Sequence, residues 1–194
     1  MIAAPRLILA TRNAHKVREF AVLLDGVEVT ALPDDVELPA EIGETFADNA
    51  LLKARAAVAA TGATAIADDS GIESAALGGR PGVRSARFAG EDATDEQNLA
   101  KLIADAPPGS AVAYVCVIAL VDPGTGAEHV FDGRCTGTLS AERRGSGGFG
   151  YDPVFLPDDD GTGRTMAELS VAEKDAISHR GRAARALLAH LSAG

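Results

Sequence analysis

The chain has 194 residues, 46% of them hydrophobic, enough for one domain, or two lobes sharing a core, to fold without staples. Its two cysteines, Cys116 and Cys135, exclude a disulfide framework and a four-cysteine zinc site, and read as buried thiols of a reducing compartment. The net charge of −10, from 18 Lys+Arg against 28 Asp+Glu, repels nucleic acid over most of the surface, so an anionic ligand must be met by basic residues gathered locally.

The first ten residues carry no charge before Arg6 and are broken by Pro5, which argues against a signal peptide. The longest apolar run, Ala111 to Val121, is shorter than the roughly 20 residues that a spanning helix needs. The expectation is a cytoplasmic protein with no membrane partner and no nucleic-acid partner.

In chain order, Leu7 to Leu9 read as a short buried strand. A polar turn, Thr11-Arg12-Asn13-Ala14-His15-Lys16, leads into a helix marked by Val17, Phe20, Leu23 and Leu24. Val27 to Thr30 reads as a second strand. Residues 33–43 hold Pro33, Pro39 and several acids, which predicts a loop.

A helix is predicted from about Thr45 to Thr61, ended by Gly62. Ala63 to Ala67 reads as a strand running into Asp68-Asp69-Ser70-Gly71. Residues 78–91 are rich in turn formers. Thr94 to Asp105 reads as a helix capped by Thr94 or Asp95.

Ala111 to Val121 reads as a long central strand and His129 to Leu139 as its returning partner. Val154 to Leu156 reads as a short strand. Ser170 to Glu173 is a capping box opening a C-terminal helical region. The order of elements predicts an α/β fold with a mixed sheet.

Five stretches carry candidate chemistry. Thr11, Asn13 and Lys16 stand where a strand hands over to a helix, where N–H groups attract phosphate. An ordinary helix cap with a solvated lysine reads the same. Thr45, Asn49 and Lys53 recur every four residues and form one polar stripe, suited to a polyanion or simply exposed to solvent.

Adjacent carboxylates at Asp68 and Asp69 are costly unless a cation or hydrogen bonds compensate them. Hard Mg²⁺ prefers such oxygens, and a carboxylate beside bound metal and water can act as general base; a surface turn has the same composition. Gly145 to Gly150 matches G-x-G-x-x-G, but Tyr151-Asp152-Pro153 follows where a dinucleotide site needs a helix. A turn presenting Phe149 to a base and Asp152 to a base or ribose proton fits better.

Lys174, Ser178, His179, Arg180 and Arg182 offer many donors and few acceptors, suited to a carbonyl-rich base or to phosphates. Lys174 and Ser178 are expected on one helical face. No P-loop, no G-x-S-x-G elbow and no H-E-x-x-H is present, so kinase, serine hydrolase and zinc protease readings lack support.

Taken together the chain resembles the inosine/xanthosine triphosphate pyrophosphatase family. The resemblance rests on LATRNAHKVREF (9–20), E-x-G-x-TF-x-x-NA-x-x-KA (41–54), ADDSGI (67–72), LGGRPGVRSARFAGEDATD (77–95), GGFGYDP (147–153) and KDAISHRGRA (174–183). Arg12, Ile72 and Phe88 are mild departures.

The resemblance implies two lobes with an active-site cleft, usually a homodimer, and Mg²⁺-dependent hydrolysis of ITP, dITP and XTP to the monophosphate and pyrophosphate. It implies that the loop Thr11, Arg12, Asn13, Ala14, His15 and Lys16 holds the triphosphate, with Lys53 beside it. Glu41 and Asp69 would bind the metal, helped by Asp68, and Asp69 would also be the general base. Ser70 would bind substrate. Phe149, Gly150, Tyr151 and Asp152 would form the base and sugar pocket, and Lys174, His179 and Arg180 would close over the purine. A pyrophosphatase for modified pyrimidine triphosphates and a silent nucleotide-binding module are the alternatives.

Overall fold

The computed structural model describes residues 6–193; Met1 to Pro5, on which part of the signal-peptide reading rests, lie outside them. The described elements are β1 (Arg6–Leu9), α1 (Ala14–Leu23), β2 (Glu28–Ala31), α2 (Phe46–Thr61), β3 (Ala65–Ser74), α3 (Asp95–Asp105), β4 (Ala111–Val121), β5 (Glu128–Leu139), β6 (Phe155–Pro157), α4 (Val171–Ile177) and α5 (His179–Ala193). The strands pair in the order β2-β1-β3-β4-β5-β6. β1 runs parallel to β2 and β3, whereas β5 and β6 are antiparallel, so the sheet is mixed.

Local chemistry explains most of the element ends. Asn13 caps α1, its Oδ1 accepting from the N–H groups of His15 and Lys16. Thr45 and Asp48 form a capping box at α2, and Gly62 closes that helix in the left-handed conformation, φ +66°. Capping boxes also open α3, from Thr94 and Gln97, and α4, from Ser170 and Glu173.

Two expectations need correction. The strand does not end at Ala67: β3 runs on through Asp68 to Gly71 as far as Ser74, which also removes the alternative of a surface turn there. Both carboxylates are buried, at 1% and 4% exposure, and have cationic or amide partners nearby, so turn composition does not decide the conformation. Lys174 and Ser178 do not share a continuous helix. Ser178 is extended at the end of α4, and its Oγ accepts from the N–H of Gly181 in the first turn of α5.

The chain divides into two compact units: residues 1–69, 116–132 and 183–194, and residues 70–115 and 133–182. Each has its own core. The first packs Leu7, Leu9, Phe20, Ile66, Ile118 and Leu187. The second packs Ile72, Leu102, Tyr114, Leu139, Phe155 and Met166. Full burial of each such side chain contributes about 1.5–3 kcal/mol, so each unit is held without cross-links. Cys116 and Cys135 are buried, as expected, and are not joined by a disulfide. Burial first of all pushes the Cys135 thiol up to about 12.

Candidate functional site

In the first unit, α1, the loop before α2, α2 itself and β3 bring five charged side chains together: Lys16, Glu41, Lys53, Asp68 and Asp69. The polar stripe of α2 faces inward: Asn49 is fully buried and Lys53 only 7% exposed. Lys53 Nζ lies 2.5 Å from Glu41 Oε1, and Lys16 Nζ lies 2.8 Å from Asp68 Oδ2. Asn49 Nδ2 donates to Asp69 Oδ2 at 2.9 Å, while its Oδ1 accepts from the Gly43 N–H at 2.7 Å. A Cβ at Gly43 would sit 2.7 Å from that same Oδ1, which explains the glycine two residues after Glu41.

When all five groups are ionised, three carboxylates (Glu41, Asp68, Asp69) face two ammonium groups (Lys16, Lys53), leaving one net negative charge. Burial pushes the Asp69 carboxyl up; Lys53 pulls it back, Glu41 adds to the rise, and the result stays above the ordinary value. Burial alone would lower the Lys53 ammonium, but Asp68, Glu41 and Asp69 outweigh it and hold it raised.

This donor set fits a hard divalent cation: anionic oxygens, those of Asp68 and Asp69 buried, in excess of the local positive charge. Among the described residues no three His, Cys, Asp or Glu side chains form a ready-made metal cage.

The loop before α1 is partly committed to the fold. Thr11 Oγ1 accepts from the Asn13 N–H, and Asn13 caps the N–H groups of His15 and Lys16, the groups expected to face phosphate. Arg12 donates to the carbonyls of Leu32, Pro33 and Val36 at 2.6–3.0 Å, so its guanidinium ties down the 32–36 loop. Ala14 opens α1 at the surface, and His15 Nδ1 pairs with the Arg18 guanidinium. Arg55, off the stripe, makes a two-pronged bond to Glu128.

In the second unit the Gly-rich segment, α4 and α5 build a different cluster. Asp152 Oδ2 accepts from Lys174 Nζ at 2.8 Å and from the Phe149 N–H at 2.9 Å; its Oδ1 accepts from the Tyr114 hydroxyl at 3.0 Å. Gly148 has φ +68°, and a Cβ there would fall 1.9 Å from Asp152 Oδ2, so only glycine lets the carboxylate sit against the loop. The segment is followed by a 3₁₀ turn, Asp152–Val154, not an α-helix, in line with the rejected dinucleotide reading.

Phe149 is half-buried, with Lys174 Nζ 5.2 Å and Arg180 Cζ 5.9 Å from its ring centroid. Arg180 donates to Ser70 Oγ at 2.9 Å. His179 stacks on Tyr114, centroids 4.7 Å apart. The Tyr151 hydroxyl donates to the Ser85 carbonyl, and the Gly150 N–H donates to Asp95.

The structure therefore brings Glu41, Lys53, Lys16, Asp68 and Asp69 into one cluster, and Phe149, Asp152, Lys174, His179, Arg180 and Ser70 into another. Two contributors differ from the sequence reading, which gives Asn49 only a place in the polyanion stripe and Tyr114 no role at all. Asn49 was a member of the stripe, and its buried partner Asp69 is twenty residues away. Tyr114 passed as core inside an apolar run; a lone hydroxyl there is the signal that a buried acceptor exists.

An α/β fold that holds a buried carboxylate–lysine cluster and a separate aromatic and cationic cluster has the parts of an enzyme for an anionic aromatic ligand. The chain belongs to the Ham1 family, whose profile matches residues 7–190. It is 52% identical over 195 residues to a dITP/XTP pyrophosphatase of Frankia alni, covering 94% of this chain and 95% of that one. It is 47% identical over 195 residues to a dITP/XTP pyrophosphatase of Geobacter sulfurreducens, covering 96% of each. A HAM1 protein from Coxiella burnetii superposes with a TM-score of 0.86 at 39% identity, covering 98% of this chain and all of that one.

Proposed function

We infer that this chain hydrolyses deaminated purine nucleoside triphosphates, dITP, ITP and XTP, to the nucleoside monophosphate and pyrophosphate. The observation that carries the reading is the buried cluster of three carboxylates and two lysines, a set suited to a metal-bound polyphosphate. The dITP/XTP pyrophosphatase relatives supply the substrate class.

Water attacks the α-phosphorus, and the bond to the bridging oxygen of pyrophosphate breaks. Asp69 takes the proton of the attacking water; its raised pKa suits a group that must both be ionised and hold a proton. Asn49 fixes the carboxylate by its 2.9 Å bond. Lys16 and Lys53 offset the charge that grows on the leaving pyrophosphate. Glu41 and Asp69, with Asp68 nearby, would hold Mg²⁺, which when bound polarises phosphate oxygens and offsets their charge. Thr11, Asn13 and Ser70 add hydrogen-bonding groups for the substrate.

Purine choice follows from donors. Lys174, His179 and Arg180 present N–H groups suited to a 6-oxo purine, and Phe149 offers a face for stacking. Adenine would set an amino group against those donors, and buried donors left unpaired support large discrimination. Asp152 acts here by holding Lys174 and the Phe149 loop rather than by meeting the base itself.

No helix among the described residues is long and apolar enough to cross a membrane. A homodimer, on the strength of the family resemblance, and a reducing cytoplasm, on the strength of the two unbridged cysteines, complete the reading, and size-exclusion with light scattering reads the dimer directly. The reaction itself is tested by ³¹P NMR of ITP incubated with protein and Mg²⁺. Inosine monophosphate and pyrophosphate are the expected products; inosine diphosphate with orthophosphate would move the cut to another bond and overturn the reading.

A further inference from the structure

We propose that Tyr114 is a positioning residue for purine recognition, setting the plane of His179 through a ring stack and the places of Lys174 and the Phe149 loop through Asp152. The proposal rests on the purine reading above.

Tyr114 lies in β4 and is buried, so it acts through neighbours rather than on a ligand. Its ring lies between two others. Phe155 packs on it at 4.4 Å and 20°, and His179 at 4.7 Å and 14°. Three near-parallel rings leave the imidazole little freedom to tilt, so the direction of its N–H groups is inherited from the tyrosine.

The hydroxyl supports the other branch. It donates to Asp152 Oδ1 at 3.0 Å, while Asp152 Oδ2 holds Lys174 Nζ at 2.8 Å and the Phe149 N–H at 2.9 Å. One carboxylate thus ties together the aromatic face and an ammonium group offered to the base, and Tyr114 restrains its rotation. Burial, and next the Asp152 charge, push the phenol well above its ordinary pKa, so it remains a donor throughout the working range. A hydroxyl buried here without an acceptor would cost more than phenylalanine, so the bond to Asp152 accounts for the residue type.

The test compares Tyr114→Phe and Tyr114→Leu with the parent in the full chain, measuring kcat and KM for ITP and ATP with Mg²⁺, and the melting temperature. Tyr114→Phe keeps the stack and loses one hydrogen bond, so KM for ITP rises about fivefold, with the larger share of the loss in KM. Tyr114→Leu loses the stack as well, and the preference for ITP over ATP falls by at least about tenfold. Parental KM and parental preference in both variants, with only the melting temperature lowered, would overturn the proposal and leave Tyr114 a packing residue.

A parent protein inert toward ITP would sink the purine reading instead. The stack is then read from the ring protons of His179 by NMR. The Tyr114 ring current displaces them, and they must move in Tyr114→Leu; unchanged signals would overturn the positioning role.

Discussion

The two clusters solve opposite electrostatic problems. In the first unit, carboxylates outnumber the lysines that face them, and burial raises Asp69. In the second, Asp152 is matched by Lys174 and backed by neutral donors and stacked rings. The first set has a charge left for a cation and a polyanion. In the second, the Arg180 guanidinium stands beside the matched Asp152–Lys174 pair, so one positive charge is left when all three are ionised, and the set offers a ligand shape, stacking and hydrogen-bond direction besides. The proposed function assigns rate to the first set and choice of base to the second, and substitutions should separate the two.

The largest expected effect is on rate. Asp69→Asn keeps an oxygen to accept from Asn49 and removes the base, so kcat for ITP falls by about 10²–10⁴ with little loss of melting temperature. A variant of near-parental rate would take the base role from Asp69. Lys53→Met comes next and strikes both rate and stability. Removing one partner of this part-buried pair costs about 1–3 kcal/mol, and a denaturant titration should show it. Full stability in that variant would mean that the Glu41 pair is solvated in solution.

Gly148→Ala should act on choice rather than rate. The added Cβ collides with the Asp152 carboxylate, costs about 1–3 kcal/mol, and lowers the ITP:ATP ratio of kcat/KM. A lowered ratio without a lower rate at saturating ITP sharpens the comparison; an equal loss of rate on both substrates would break it. The smallest effect belongs to Arg12→Ala. Releasing the 32–36 loop costs about 1 kcal/mol or less, because the guanidinium is partly exposed.

What the sequence could reveal follows the range of each interaction. The caps Thr45, Thr94 and Ser170 and the stop at Gly62 depend on residues within four positions, and all were legible. The Gly-rich segment was correctly refused as a dinucleotide loop because Pro153 stands too close for a helix. Asp68 and Asp69 are legible as carboxylates that need compensation, but the strand's continuation to Ser74 is not, because the compensating Lys16 and Asn49 come from other elements. Asp152 was read as an acceptor for ligand. Its bonds to Lys174 and Tyr114 span 22 and 38 residues, beyond any local pattern. Ser178 hid a helix break for a simpler reason: serine fits a helix surface and a cap equally well.

The most direct test of this division of labour is pyrophosphate release with Mg²⁺ across ITP, dITP, XTP, ATP and dTTP, by parent protein and by Gly148→Ala. The account predicts fast release from the three deaminated purines, at least about a hundredfold slower release from ATP and dTTP, and a narrowed gap in the variant. Equal turnover of all five nucleotides by the parent would contradict it, because the second cluster would then have no part in choosing the base.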